Sequence, residues 1–202
     1  MPKIINDREK ALIVEAIYQS TVDLIKRKGF NRVTVDDITR EAGIAKGSFY
    51  QYYPTKEVCL YEAGKRAERE LFVRMESLLA QPVQNKKMLV RLFHEVYLAK
   101  DSLALYIHPK DIEILRRKLP AEYAGQARQK PENYIERSMR LLNIDKSQIN
   151  AGVLDRLVDS MAFIASGRDD RAANEQAMEL IIDAIAKYLA GGMSNKHRKK
   201  RA

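Results

Sequence analysis

Lys46, Ser48, Tyr50, Gln51 and Tyr52 set an ammonium, three hydroxyls and an amide on one short segment, with Gly47 among them. These groups donate and accept hydrogen bonds and carry positive charge, and none is a nucleophile with a base beside it. The chemistry they offer is recognition of a polar, anionic partner. Elsewhere the residue types point away from catalysis. The one cysteine, Cys59, falls in a helical pattern without a positioned histidine, the glycines form no phosphate loop, and no carboxylate pair is evident. His94 and His108 lack a carboxylate, thiol or imidazole at metal-site spacing on one helix, so neither a metal nor a cofactor is expected.

Two helices must position that segment. Thr34 is suited to cap the first, because its hydroxyl can accept a backbone N–H two or three residues on, and Asp36 and Asp37 then lie at the positive end of the dipole. Val35, Ile38 and Ala42 fall at spacings of three and four, which makes one apolar face. Gly43 suits the left-handed conformation that stops a helix, and Ile44 plugs the turn. A second helix begins at Ala45 or Lys46 and runs to about Tyr53, with Phe49 and Tyr53 pointing inward. Pro54 ends the pattern and opens another helix. Two helices with a tight glycine turn, the second offering its N-terminal half to a partner, form the helix-turn-helix used in the DNA major groove.

Thr34-Val35-Asp36-Asp37-Ile38, Ala42-Gly43-Ile44, Lys46-Gly47-Ser48-Phe49-Tyr50 and Tyr53-Pro54-Thr55-Lys56-Glu57 resemble the DNA-binding signature of the TetR family of bacterial repressors. Gly29-Phe30 upstream fits it too, and the resemblance covers roughly residues 10 to 62. Three features depart from it: Ser20 and Thr21 replace a usual pair of alanines, Thr39 a common alanine, and Tyr52 a common histidine. The resemblance implies that Thr34, Tyr50, Tyr52 and Lys56 contact phosphates. It also implies that Lys46, Ser48 and Gln51 face base edges, where Lys can donate to guanine and Gln can pair with adenine, while Gly47 lets the backbone come close. The other role open to Tyr50 and Tyr52 is core packing.

Composition agrees with that class. The 202 residues are 46% hydrophobic and 31% charged, an ordinary globular balance, and nine glycines with six prolines favour an all-α chain. No apolar run approaches the roughly 20 residues of a membrane span. The N-terminus has no signal-peptide core, and one cysteine fits a reducing cytoplasm. The net charge of +9 is unevenly placed. Residues 1–56 hold ten Lys/Arg against seven Asp/Glu, residues 57–195 twenty-one against twenty, and residues 196–202 five against none. Positive charge therefore gathers in the head and the tail, as phosphate partners require, although a basic tail also serves as a solvated solubility device.

These readings divide the chain into a three-helix, helix-turn-helix DNA-binding head over 1–53, a larger helical ligand-binding and dimerisation body over 54–192, and a basic flexible tail over 193–202. In the head, Asn6 or Asp7 caps a first helix that Gly29 stops. A long helix from Pro54 or Thr55 to about Ala80 joins head to body and is the natural lever for a ligand switch. Further helices span about Lys86 to Lys100, Lys110 to Leu119 and Pro131 to Leu142. Ser147 caps a helix ended by Gly167, and the last helix runs from about Asn174 to Gly191-Gly192. The last two are apolar around more than one face, which a two-fold copy would cover as a four-helix bundle. The alternative is that both are simply core helices.

Soft and amphipathic side chains in the middle helices suggest a pocket for an apolar or aromatic effector: Met75, Phe93, Tyr97 and Tyr106, then His108, Tyr134, Met139 and Phe163. At helical spacing such residues also serve as core. The expected function is a ligand-responsive transcriptional regulator, a repressor that binds a palindromic operator as a dimer and is released by its effector. The alternative is a DNA-bound structural or partner-binding protein of the same fold without an effector. An enzyme and a membrane protein are not expected.

Overall fold

The computed structural model describes residues 6–80, 85–100, 102–107, 109–127, 139–142, 144, 147–167 and 170–192, and every regular element described is a helix. The chain is all-α. Helix α1 (Asp7–Lys28) starts in a capping box: the Asn6 side chain accepts the Glu9 amide at 2.8 Å, and the Glu9 carboxylate accepts the Asn6 amide at 3.1 Å. Lys26, Arg27 and Lys28 close it at the negative end of its dipole. Gly29 then turns the chain at φ +82°, where a side chain would be strained, into the short 3-10 turn Phe30–Arg32.

Helices α2 (Val35–Ala42) and α3 (Lys46–Tyr52) follow as the sequence pattern requires, and Gly43 between them adopts φ +67° and ψ +32°, the left-handed helix stop. Helix α4 (Lys56–Leu78) begins with the Val58 amide donating to the Thr55 hydroxyl at 3.2 Å, which satisfies one of the open amides of its first turn. Helix α5 (Lys86–Phe93), capped by Asn85, continues as a wider π turn over His94–Leu98. Then come α6 (Pro109–Lys118), α7 (Ala121–Ala127), α8 (Ala151–Ser166) and α9 (Arg171–Gly192).

Packing divides the chain into two compact units. The first is Met1–Arg69 with Tyr106–Gln129, so the head continues past Tyr53 and takes in the first turns of α4 together with α6 and α7. Ile17 and Ile25 of α1, Phe30, Val33, Ile38, Phe49 and Val58 form its core. The polar departures at Ser20, Thr21 and Thr39 are accommodated inside it. The Thr21 hydroxyl donates to the Ile17 carbonyl at 2.7 Å and lies 3.6 Å from the Cys59 sulfur, and Thr39 donates to the Asp36 carbonyl at 3.3 Å. A buried hydroxyl with a backbone acceptor avoids the desolvation penalty of an unpaired one. Burial also pushes the Cys59 thiol up to about 12, so it stays protonated and unreactive.

The second unit is Glu70–Leu105 with Lys130–Ala202, in which α9 packs against both α5 and α8. Met75, Leu89, Leu92, Met161, Ile182 and Ile185 are among its buried residues. Lys86 reaches Asp183 at 2.5 Å and His94 reaches Glu179 at 2.9 Å, two polar ties between α5 or its continuation and α9.

Several boundaries differ from expectation. Asn150, not Ser147, caps α8, accepting the Gly152 amide at 2.9 Å, and Ile149 is buried in the approach to the helix. The last helix starts at Arg171 rather than near Asn174, because the Asp170 carboxylate accepts the Ala173 amide at 3.0 Å and the Asp170 carbonyl accepts the Asn174 amide at 3.0 Å. The helix expected to reach Lys100 ends at Leu98, where the Ser102 hydroxyl turns back to the Val96 carbonyl at 2.7 Å. Helix α7, after Pro120, was not anticipated. The expected helix opening at Pro131 lies mostly outside the described residues, as does the basic tail.

Candidate nucleic-acid interface

The N-terminal half of α3 is held from behind and open in front. Phe49 is fully buried, its ring edge-on to Tyr50 at 5.4 Å and tilted against Tyr53 at 5.7 Å. Tyr53 is half-buried, and burial pushes its phenol up to about 12. In front, Lys46, Gly47 and Gln51 are exposed, Tyr50 is 48% exposed, and Ser48 and Tyr52 are partly exposed. A Cβ added at Gly47 would meet nothing within 4 Å, so packing inside the chain does not call for glycine there. A helical glycine without such a need is unfavourable by about 1 kcal/mol relative to alanine.

A polar lattice fixes α2 beneath it. The Asp37 carboxylate, only 6% exposed as a residue, accepts from Lys28 at 2.6 Å and Arg40 at 2.8 Å through Oδ1, and from the Thr34 hydroxyl at 2.7 Å and the Thr34 amide at 3.2 Å through Oδ2. The Asp37 amide in turn donates to the Thr34 hydroxyl at 3.1 Å. The Lys28 ammonium, with the Thr34 hydroxyl, holds the Asp37 carboxyl well below the usual carboxylate range. A second tie, Arg27 to Glu41, also joins α1 to α2.

Sequence reasoning did not foresee two features. Thr34 caps α2 as expected, but its hydroxyl also gives its one proton to the Asp37 carboxylate and so has none left to donate outward. Lys46 is engaged as well: its ammonium lies 2.8 Å from Asp36 of α2, which raises the Lys46 pKa. Lys56 and Arg32 carry no carboxylate partner among the described residues. Arg32 is exposed, two residues before Thr34, and no motif singled it out.

The expected pocket residues are spread more widely. Met75, Phe93 and Met139 are buried in the second unit, and Tyr97 stacks on Phe93 at 5.7 Å. Tyr106 belongs to the first unit, with the Lys26 ammonium 5.3 Å above its ring. Phe163 is corrected: it is 80% exposed on α8 and lines no interior of the single chain. His108 and Tyr134 lie outside the described residues.

A rigid, outward-facing second helix across a left-handed glycine turn defines a helix-turn-helix DNA-binding protein. Residues 17–63 match the family profile described as bacterial regulatory proteins, tetR family. Residues 17–63 are thus a DNA-binding domain of the kind that the TetR family of bacterial transcriptional regulators carries. It is similar to the HTH-type transcriptional regulator EthR of Mycolicibacterium smegmatis, 35% identical over 81 residues, which cover 38% of this chain and 35% of that one. It is also similar to the uncharacterized HTH-type regulator YuxN of Bacillus subtilis, 27% identical over 50% of this chain and 34% of that one. The matched part therefore spans about a third of the length of those two relatives. A fatty acid metabolism regulator protein of Bacillus subtilis aligns along 89% of this chain and 95% of its own length at 25% identity. Among solved structures, a TetR family transcription regulator from Marinobacter aquaeolei VT8 covers 89% of this chain and 98% of its own, at TM-score 0.49 and 14% identity. No described helix is long and apolar enough to cross a membrane.

Proposed function

We propose that this regulator is a ligand-released repressor that grips a palindromic DNA site as a homodimer. The observation that carries the reading is the open front of α3. Lys46, Gly47 and Gln51 are exposed there while Phe49 behind them is fully buried, and Gly47 has no internal neighbour to justify it. A glycine kept against helix propensity is explained when an outside surface must approach the backbone. In this reading Gln51 and Ser48 meet base edges, Lys56 and the tyrosine hydroxyls meet phosphates, and Lys46 donates to guanine.

Dimerisation is supported by apolar side chains that the single chain leaves in water. Phe163 and Val153 of α8 are 80% and 41% exposed, and Leu180 of α9 is 66% exposed. A second copy related by a two-fold axis would cover them and set two α3 helices against half-sites about 34–36 Å apart or somewhat more. The effector is apolar or aromatic and lies within the second unit, where Met75, Phe93, Tyr97 and Met139 supply soft and aromatic surface. Likeness along nearly the whole chain to a protein named for fatty acid metabolism favours an apolar compound.

Selection of bound duplexes from a random pool, followed by a screen for compounds that release them, tests the reading. A two-fold symmetric consensus and at least one releasing compound are expected. Many unrelated bound sequences and no releasing compound would favour a structural DNA-binding role instead.

A further inference from the structure

Acidic side chains are unwelcome on a surface that meets phosphates, yet Asp36 is exposed on α2 and bonded to the first residue of the recognition helix. Its carboxylate lies 2.8 Å from the Lys46 ammonium, with the two side chains 69% and 54% exposed. Neighbouring cations are similarly committed: Lys28 and Arg40 to Asp37, and Arg27 to Glu41. Arg32 and Lys56 are the cations between residues 27 and 56 without a carboxylate partner among the described residues.

We propose that Asp36 is a specificity determinant of the DNA interface, withholding Lys46 from phosphates and releasing it only to a base edge that replaces the carboxylate. This rests on the reading that α3 meets DNA. A phosphate met at random offers Lys46 no better geometry than Asp36 already gives it, so the pair stays closed and contributes no counterion release. A guanine edge presents two acceptors converging on one donor, and the exchange becomes favourable there. Between residues 27 and 56, sequence-independent attraction is then left to Arg32 and Lys56, and discrimination rises because the competing background is lowered, not because the specific contact is strengthened. Exposed pairs are weak, so the background should fall only a few-fold per protomer.

The test uses the full chain, a duplex recovered by selection from a random pool, and a scrambled duplex of the same composition, each titrated between about 50 and 200 mM salt. Asp36→Asn should tighten binding to the scrambled duplex by about twofold to fivefold per protomer and leave the selected duplex nearly unchanged. It should also steepen the scrambled-duplex salt slope by about one per protomer. Asp36→Glu should restore the wild-type ratio, and Asp36→Asn in a Lys46→Ala background should have no such effect. Thermal unfolding of each variant separates these shifts from loss of the α2 N-terminal charge. Equal tightening on both duplexes, or none on the scrambled one, overturns the role of Asp36 while leaving DNA binding intact. A wild-type chain that binds neither duplex overturns both readings.

Discussion

Lys28 at the end of α1 gives its ammonium to the Asp37 carboxylate of α2 at 2.6 Å, and that one contact ties the helix leading into the motif to the cap of the motif itself. The same carboxylate serves Thr34 and Arg40, so one side chain both closes the cap of α2 and, beside the Arg27–Glu41 pair, holds α2 to α1. The recognition helix inherits its position from that junction through Gly43.

A depressed carboxylate stabilises the fold fully above its unfolded value, and that contribution is lost as pH falls through the ordinary carboxylate range and below it. Because Lys28 and Thr34 hold Asp37 low, Tm followed by circular dichroism should drop as pH goes from about 5 towards 2. Asp37→Asn should lower Tm at neutral pH and flatten that drop. A variant curve parallel to wild type over the whole range would show that Asp37 is not the group responsible.

Thr34→Ala should destabilise the head by about 1 kcal/mol through loss of the cap and weaken duplex binding in step with it, while Thr34→Ser should do neither. Denaturant unfolding paired with DNA titration checks this. Binding lost at unchanged stability would mean that the hydroxyl serves a phosphate rather than Asp37.

Much of the head could be read from the chain alone, because caps, turns and apolar spacing are local. Thr34, Gly43 and Phe49 do what their types and positions dictate. Links between helices were not legible: nothing in the order of residues says that Lys46 turns back to Asp36 or that Lys28 reaches Asp37. At α8, Ser147 and Asn150 are both capping types, and Ile149 between them is apolar in phase with either start, so pattern could not choose. Phe163 reads alike for a core and for an interface, and only the packed chain shows it in water.

Lys56→Ala should weaken binding to every duplex and lower the salt slope by about one per protomer, whereas Gln51→Ala should change preference at one position per half-site. Repeating the random-pool selection with each variant distinguishes them. A uniform loss for both would remove Gln51 from the reading role.

Phe163→Asp should break the proposed dimer into monomers in sedimentation equilibrium, weakening association by at least about 2 kcal/mol if this ring is a central anchor. An unchanged association constant would move the interface away from α8.

The open front of α3 is tested most directly by filling it. Gly47→Leu introduces a side chain where a Cβ meets nothing within 4 Å inside the chain, so the variant should fold at least as stably as wild type. Measured by fluorescence anisotropy on the selected duplex, it should bind at least about tenfold more weakly, the equivalent of losing 1.4 kcal/mol or more. A stable Gly47→Leu chain that binds the duplex as tightly as wild type would contradict the placement of α3 against DNA.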